Sequence, residues 1–261
     1  MYRFLTTFFL AAALLVPGFS KAAAPAFTSL SEQDFEDVSK EFSGNFMHHS
    51  VQGAGTLGSV FGFEFGLIGG QQASPKISDI AVRSGGSSVP NLYHAGLLGV
   101  ISVPLGITAE VVLLPKTSAS DASFQTTSLA LKYTMNPVLF NLAVRGFYSS
   151  SAFSFTQGVG NTVTVEDTNK VTGLQLLISP KLPIVEPYAG IGYASATNSL
   201  TATGGSIFLP GYTTSQSMEK TPTSTQILLG VTANLLFFHL GAEYSNAFGT
   251  SAYTGKLAFG F

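Results

Sequence analysis

Side chains that could carry out catalysis or bind a metal are few in this 261-residue chain, and they are widely separated. It has four histidines: His48, His49, His94 and His239. A hydrolytic site needs a nucleophile, a base and an orienting group within hydrogen-bond reach. Near His94 the sequence has Ser87 and Ser88, but the nearest acid in that segment is Asp79. Adjacent histidines point in different directions and chelate poorly, and no cysteine is present. We therefore expect no enzyme, no metal site and no cofactor.

Seven charged side chains share one feature: each falls on the side of its segment opposite to an alternating set of apolar residues. They are Glu64, Glu110, Lys132, Arg145, Glu186, Glu243 and Lys256. His239 lies on the same side, and so does His94. The four carboxylates and three cations nearly balance. Either these charges pair with one another and hold an interior shut, or they line a narrow path for a polar molecule or ligand. Both interpretations stay open from the sequence.

The elements that position these charges are strands, because apolar residues recur at every second position from residue 59 onward. At the C-terminus, for example, Tyr253, Leu257 and Phe259 share one face, and Lys256 and Gly260 share the other. The pattern predicts an all-β fold of about ten strands, each long enough to cross a bilayer when tilted. The predicted strands are 59–71, 91–103, 105–115, 123–135, 138–150, 170–180, 183–197, 223–235, 237–247 and 250–261.

The connections between these strands alternate in length. Tight turns are predicted at 104–106, 136–137, 180–183 and 236–237, where Pro, Gly and Asn are frequent. Longer connections rich in Ser, Thr and Gly fall at 72–90, 151–169 and 198–222, with shorter exceptions near 116–122 and 248–249. This layout is typical of transmembrane antiparallel up-and-down β-barrels, whose short turns face the periplasm. Both ends of the chain would then lie on the short-turn, periplasmic side.

The composition favours the same class. Charged residues make up 10% of the chain, against about 25% in an ordinary soluble domain. Hydrophobic residues make up 45%, yet no run of about 18 apolar residues follows the N-terminal segment. Apart from a transmembrane helix, a closed β-barrel is the structure that satisfies all its backbone hydrogen bonds in lipid. The net charge of −2 gives no basis for binding nucleic acid.

Outward-facing aromatic residues are predicted near both ends of the strands. Those near the short turns are Tyr133, Phe140, Phe238 and Phe261. Those toward the long loops are Tyr93, Tyr148, Tyr193, Tyr244 and Tyr253. Rings at both membrane–water interfaces form an aromatic girdle, for which a soluble β-sandwich has no use.

The N-terminal part of the chain does not follow the strand pattern. Residues 1–24 are typical of a cleavable signal peptide, with Arg3, an apolar stretch from Phe4 to Val16 and small residues at 22–24. In the segment 25–57, Ser31 is an N-cap that begins an amphipathic helix ending near Phe42. We interpret this segment either as a plug in the lumen or as a periplasmic cap that closes the barrel floor, and we favour the cap. Residues 58–261 are the predicted barrel.

The C-terminus resembles the signal read by the barrel-assembly machinery of Gram-negative bacteria, through Leu257, Phe259 and the terminal Phe261. The stretch Glu186–Tyr193 is similar to strands of small barrels in the outer-membrane protein A and X superfamily. The resemblance covers 59–261 as a class and implies an outer-membrane location. It also implies outer-membrane lipid and the secretion and assembly machinery as partners.

We therefore expect an outer-membrane barrel with a structural or passive-transport role, porin-like, for a small or hydrophobic solute. The alternative is a barrel whose long outer loops serve adhesion or ligand binding, and an outer-membrane hydrolase is the least favoured interpretation.

Overall fold

The computed structural model describes residues 31–58, 60–83, 87–119, 122–157, 163–204 and 214–261. The predicted signal peptide lies outside the described residues. Within these residues, two α-helices, α1 (Glu32–Phe46) and α2 (Pro75–Arg83), accompany the strands. The strands are β1 (Gly62–Ala73), β2 (Asn91–Val103), β3 (Ile107–Ala119), β4 (Ala122–Met135), β5 (Phe140–Gln157), β6 (Val163–Pro180), β7 (Val185–Gly204), β8 (Thr214–Lys220), β9 (Thr223–Leu235), β10 (Phe238–Ala247) and β11 (Thr250–Gly260).

The strands form one closed antiparallel barrel. Except for β8 and β9, each strand pairs with its neighbours in the chain, and β1 pairs with β11 to close the sheet. The strands β8 and β9 both pair with β7 and follow one another in one line, so the barrel has ten positions around its wall. The predicted fold class, a barrel of about ten strands preceded by a short helix, is confirmed.

The period-two pattern becomes an apolar outside and a polar inside. Along β11, buried and exposed residues alternate without interruption from Ala252 to Gly260. The outward residues are apolar and largely exposed, among them Leu131, Leu174, Ile191 and Phe259. An apolar surface of this extent belongs in lipid.

Tight turns of two residues join neighbouring strands at both ends of the barrel. Leu236, with φ of 56°, and Phe237 form a two-residue hairpin between β9 and β10. Phe248 and Gly249, with φ of 54° and 77°, do the same between β10 and β11 at the opposite end. Positive φ at both Phe248 and Gly249 matches the twist of a β-hairpin.

The structure differs from the sequence prediction mainly at the long-loop end. There β5, β6 and β7 continue for 18, 18 and 20 residues, into segments predicted as loops. The segment 72–90 contains helix α2, which the prediction missed. Neither described helix is long and apolar enough to cross a membrane.

Candidate functional site

The N-terminal segment fills the inside of the barrel. We call residues 31–57 the plug: helix α1 followed by an extended stretch from 47 to 57. Residues 47–54 are all buried. The N-terminal turn of α1 lies at the long-loop end, where Glu32 pairs with Lys220. The other end lies near the short turns, where the Leu57 N–H donates to Ser102 Oγ at 3.0 Å. The segment is therefore a plug, and the preference for a periplasmic cap was wrong.

Helix α1 begins as predicted and packs through one apolar face. Ser31 Oγ accepts the Asp34 N–H at 3.1 Å, and Asp34 accepts the Ser31 N–H in return, which forms a capping box. The buried side of the helix joins an apolar cluster with α2 and the long strands. Its members are Phe35, Val38, Ile77, Ile80, Val165 and Leu200. This cluster closes the outer mouth of the barrel.

Helix α2 is tied to α1 by a carboxylate. The buried Glu41 accepts the N–H groups of Lys76 and Ile77, both at 2.8 Å. The first N–H groups of a helix have no acceptor within the helix, so Glu41 of the plug caps the N-terminus of α2. Burial raises the pKa of Glu41 above its ordinary value. An ion pair between Arg83 and Asp34 joins the two helices at the surface. Partial burial raises the pKa of Asp34, but the hydrogen bonds with Arg83 and Ser31 outweigh it and leave the pKa lowered.

Glu110 connects the middle of the plug to the wall. Its Oε2 accepts from Ser50 Oγ at 2.6 Å and lies 3.0 Å from His48 Nε2. Arg145 Nη1 lies 3.4 Å from the same oxygen, and Lys132 Nζ lies 3.8 Å from Oε1. All these side chains are buried, so each charge depends on the others for compensation.

The same region brings a serine, a histidine and a carboxylate into one line. Ser128 Oγ lies 2.6 Å from His48 Nδ1, and His48 Nε2 faces Glu110. This arrangement could not be predicted from the sequence, because His48 precedes the barrel. The three residues are only 1–2% exposed, so no substrate can reach Ser128 in this state. His49 points elsewhere and stacks on His94 with ring centroids 4.4 Å apart.

The lower part of the plug is held by its backbone. Lys132 Nζ donates to the carbonyls of Gly53 and Gly55 at 2.7 and 2.8 Å. The Gly55 N–H donates to Glu186 Oε1 at 2.8 Å. A side chain at Gly53 would collide with Glu186, since an added Cβ would lie 2.5 Å from its carboxylate. The small residues of the plug thus let its backbone approach the wall closely.

The remaining predicted lumen charges also point inward. Glu64 accepts from Lys256 Nζ at 3.0 Å and from His239 Nδ1 at 2.6 Å, and Gln52 of the plug donates to it. Glu243 accepts from Tyr188 OH at 2.8 Å. Of the seven predicted charges, Glu64, Glu110, Lys132, Arg145 and Lys256 are joined in ion pairs within the described lumen. Glu186 is half-buried and contacts the plug.

The predicted girdle residues and the C-terminal apolar residues lie on the outside. Tyr93, Tyr133, Tyr193 and Tyr253 are more than half exposed. Phe140, Tyr148, Phe238 and Tyr244 are less so and face the same way. Leu257, Phe259 and Phe261 lie on the outer face of β11 and its end, and Phe259 packs on Phe238. Among the described residues, no group of three or more His, Asp or Glu side chains is arranged to hold a metal ion.

A closed antiparallel barrel, apolar outside and filled by a polar plug inside, defines the class: this is an outer-membrane type β-barrel with a plugged lumen. The chain belongs to the family described as "Family of unknown function (DUF6588)", whose model matches residues 11–261. No curated protein matches the sequence at a significant level.

Solved structures with a similar fold include bacterial barrels of several kinds. The outer membrane protease OmpT from Escherichia coli is 11% identical, with 80% of this chain and 100% of that chain covered and a TM-score of 0.46. The translocator domain of the autotransporter NalP from Neisseria meningitidis is 12% identical, with 88% and 95% covered and a TM-score of 0.49. The attachment protein Ail of Yersinia pestis is 14% identical, with 77% and 97% covered and a TM-score of 0.38.

Proposed function

We propose that this protein is a non-enzymatic, passive transporter of a small solute in the bacterial outer membrane, and that its plug closes the lumen in the described state. The observation that carries the proposal is the kind of contact that holds the plug. From Ser50 to Leu57 the plug is bound to the wall largely through hydrogen bonds.

Such contacts can be exchanged for water at small net cost. A hydrogen bond contributes about 0.5–1.5 kcal/mol net, or about 1.5–3 kcal/mol where one partner is charged, because water replaces the lost partner. The apolar face of α1 packs in a buried cluster and would leave a large apolar surface behind if it moved, so the part of the plug that moves is residues 50–57. Moving this plug would expose a wall with charges of both signs, including Glu64, Lys132 and Arg145, which water can solvate. Polar attachment therefore favours a movable plug rather than a permanent filling of the lumen.

A disulfide that locks the plug tests this proposal. A Cβ built at Gly241 would lie 2.8 Å from Val51 Cγ1, so Val51→Cys/Gly241→Cys places two sulfurs within bonding range. The chain has no other cysteine. In planar bilayers we expect brief current openings from the full-length protein and from the reduced variant, and none from the oxidised variant until reductant is added.

Weakening the attachment of the plug should have the opposite effect on the current openings. Lys132→Met removes the donor to the Gly53 and Gly55 carbonyls and should raise the frequency of openings. Lys170→Met, at an exposed site on β6, is the matched control and should leave the frequency unchanged. Equal currents from the oxidised and reduced lock would show that the plug does not gate. Silence from every variant would favour a purely structural role.

The adhesion alternative has one observation of its own. The strands β5, β6 and β7 are 18–20 residues long, whereas a bilayer crossing needs about 9–11. Their outer parts therefore stand above the membrane, where a ligand could bind. If cells that carry the protein bind a ligand, and oxidation of the Val51→Cys/Gly241→Cys disulfide leaves this binding unchanged, the result would support adhesion over transport.

A further inference from the structure

The wall of the barrel is split between β2 and β3 in its outer half. The pairing described between these strands joins Leu97–Val103 to Ile107–Leu113 and ends there. Beyond this point β2 continues to pair with β1 as far as Asn91. The strand β3 likewise continues with β4 as far as Ala119. The two strands therefore part from each other and leave a notch in the wall.

A proline at the start of the split explains why β3 leaves β2. Pro115 has no N–H group for a ladder hydrogen bond, and prolines in sheets are confined to edges and bulges. The register between β3 and β4 shifts between Leu114 and Thr117, which marks a bulge at this proline. Residues 115–118 are exposed on both faces of the strand. The outer part of β3 thus has the character of an edge strand.

A small cavity of about 20 Å³ lies directly behind the base of the notch. The wall contributes Ala95 and His94 from β2 and Val112 and Leu114 from β3, and the plug contributes Phe46, Met47 and His49. Five of the eleven lining residues are polar, namely Asn45, His49, His94, Thr126 and Ser128, but most of the lining surface is apolar. The cavity has room for about one water molecule, so a larger guest requires the plug to shift.

The notch opens at the level of the lipid. A crossing takes about 9–11 residues, so most of the 13-residue β2 lies within the bilayer. The notch occupies the part of β2 toward the long loops, which is the outer leaflet. In the split part of β2, the Tyr93 carbonyl accepts from Asn45 of the plug at 3.2 Å. Backbone groups left unpaired against lipid cost free energy. A lipid-level split with an apolar lining is therefore a costly feature for a barrel whose role is only structural.

We infer that a small apolar molecule passes between the lumen and the outer leaflet through this notch, and that it binds in the cavity between Leu114 and the plug. This inference rests on the proposed movement of the plug and adds to it the solute class and the route. An ion or a sugar would have to leave water for an apolar passage into lipid, whereas an apolar molecule gains free energy at each step.

Neighbouring leucines on opposite faces of β3 provide a matched pair of variants. Leu114→Trp fills the cavity, whereas Leu113→Trp points to the lipid from a site that is 40% exposed. The probe is N-phenyl-1-naphthylamine, an apolar dye that fluoresces when it enters the membrane of intact cells. We expect faster uptake with the wild-type protein than without it. Leu114→Trp should slow this uptake about tenfold, and Leu113→Trp should leave it within about twofold.

A disulfide at the base of the notch provides a second, reversible test. A Cβ at Gly96 would lie 2.7 Å from Val112 Cγ1, so Gly96→Cys/Val112→Cys ties the strands and places sulfur in the cavity. Gly99→Cys/Val111→Cys ties the same strands in their paired half and is the control. Oxidation should stop dye uptake only in the first variant, and reductant should restore it.

The outcomes separate the two proposals. In one outcome the plug lock stops dye uptake, whereas the notch disulfide and Leu114→Trp leave it unchanged. This result would overturn the lateral route, while the transport function stands. Dye uptake equal with and without the protein, together with currents that respond to the plug lock, would overturn the apolar solute class alone. A notch disulfide that stops uptake while the plug lock affects neither current nor dye would support the route and overturn the gating plug.

Discussion

At the scale of single residues, Asp167 should make the outer end of the plug depend on protonation. It lies on the inward face of β6, beyond the length needed to cross the bilayer. On one side of it Val165 joins the apolar cluster of α1, and on the other Asn169 donates to Ser43 of α1 at 3.1 Å. Burial raises the pKa of Asp167 to about 7. Because the folded state favours the protonated form, the contribution to stability is full below the ordinary pKa of 3.8 and is lost as the pH rises to about 7.

Replacing this carboxyl should remove that pH dependence. In the wild type we expect the free energy of opening of α1, measured by hydrogen exchange and corrected for intrinsic rates, to fall between about pH 4 and pH 7. Asp167→Asn keeps the shape without the charge and should abolish this slope. The control is Glu166→Gln, an exposed neighbour on the opposite face of β6, which should retain it. An unchanged slope in Asp167→Asn would assign the pH dependence to another group.

At the scale of elements, α1 and α2 behave as one unit because Glu41 of the plug caps the loop helix. Glu41→Ala leaves the Lys76 and Ile77 N–H groups without their acceptor, and loss of an N-cap costs about 0.5–2 kcal/mol. We expect faster hydrogen exchange in α2 and in the last turns of α1. Glu36→Ala, which removes an exposed pair with Lys40, should leave the exchange of both helices almost unchanged. Equal effects of the two changes would show that the helices are not coupled through Glu41.

The strands could be predicted from the sequence wherever one face meets lipid, because the period of two is then strict. The predicted bounds 91–103 and 223–235 are those of β2 and β9. The outer parts of β5, β6 and β7 were missed because their outward faces are mostly polar above the membrane, so the alternation of apolar and polar residues is lost there. Helix α2 had a signal that could have found it: Pro75 at its start and Ile77, Ile80 and Ala81 at helical spacing.

The location of the plug could not be predicted by the same reasoning. Its partners are far away in the chain: Ser50 and Glu110 are 60 residues apart, and Gly55 and Glu186 are 131 apart. Local pattern carries no information about such contacts. A capped amphipathic helix with charged first turns fits a cap as well as a plug, and the decision depends on the closed barrel around it.

At the scale of the whole molecule, the chain passes once through its own barrel. It runs from α1 at the long-loop end, through the lumen, to β1 at the short-turn end. Short turns of outer-membrane barrels face the periplasm. The beginning of α1 should therefore face the outside of the cell, although the strand that follows the plug starts on the periplasmic side.

Single cysteines in this cysteine-free chain can establish that orientation. Gln33→Cys lies at an exposed position in the first turn of α1, and Leu236→Cys lies in the β9–β10 turn at a site that is 90% exposed. With a maleimide that cannot cross the membrane, we expect Gln33→Cys to be labelled in intact cells and Leu236→Cys only after the outer membrane is opened. The wild-type protein should remain unlabelled throughout. The reverse order would invert the barrel in the membrane. If both sites needed opened cells, the start of the plug would lie beneath the outer surface, and a solute entering from outside would not meet α1 first.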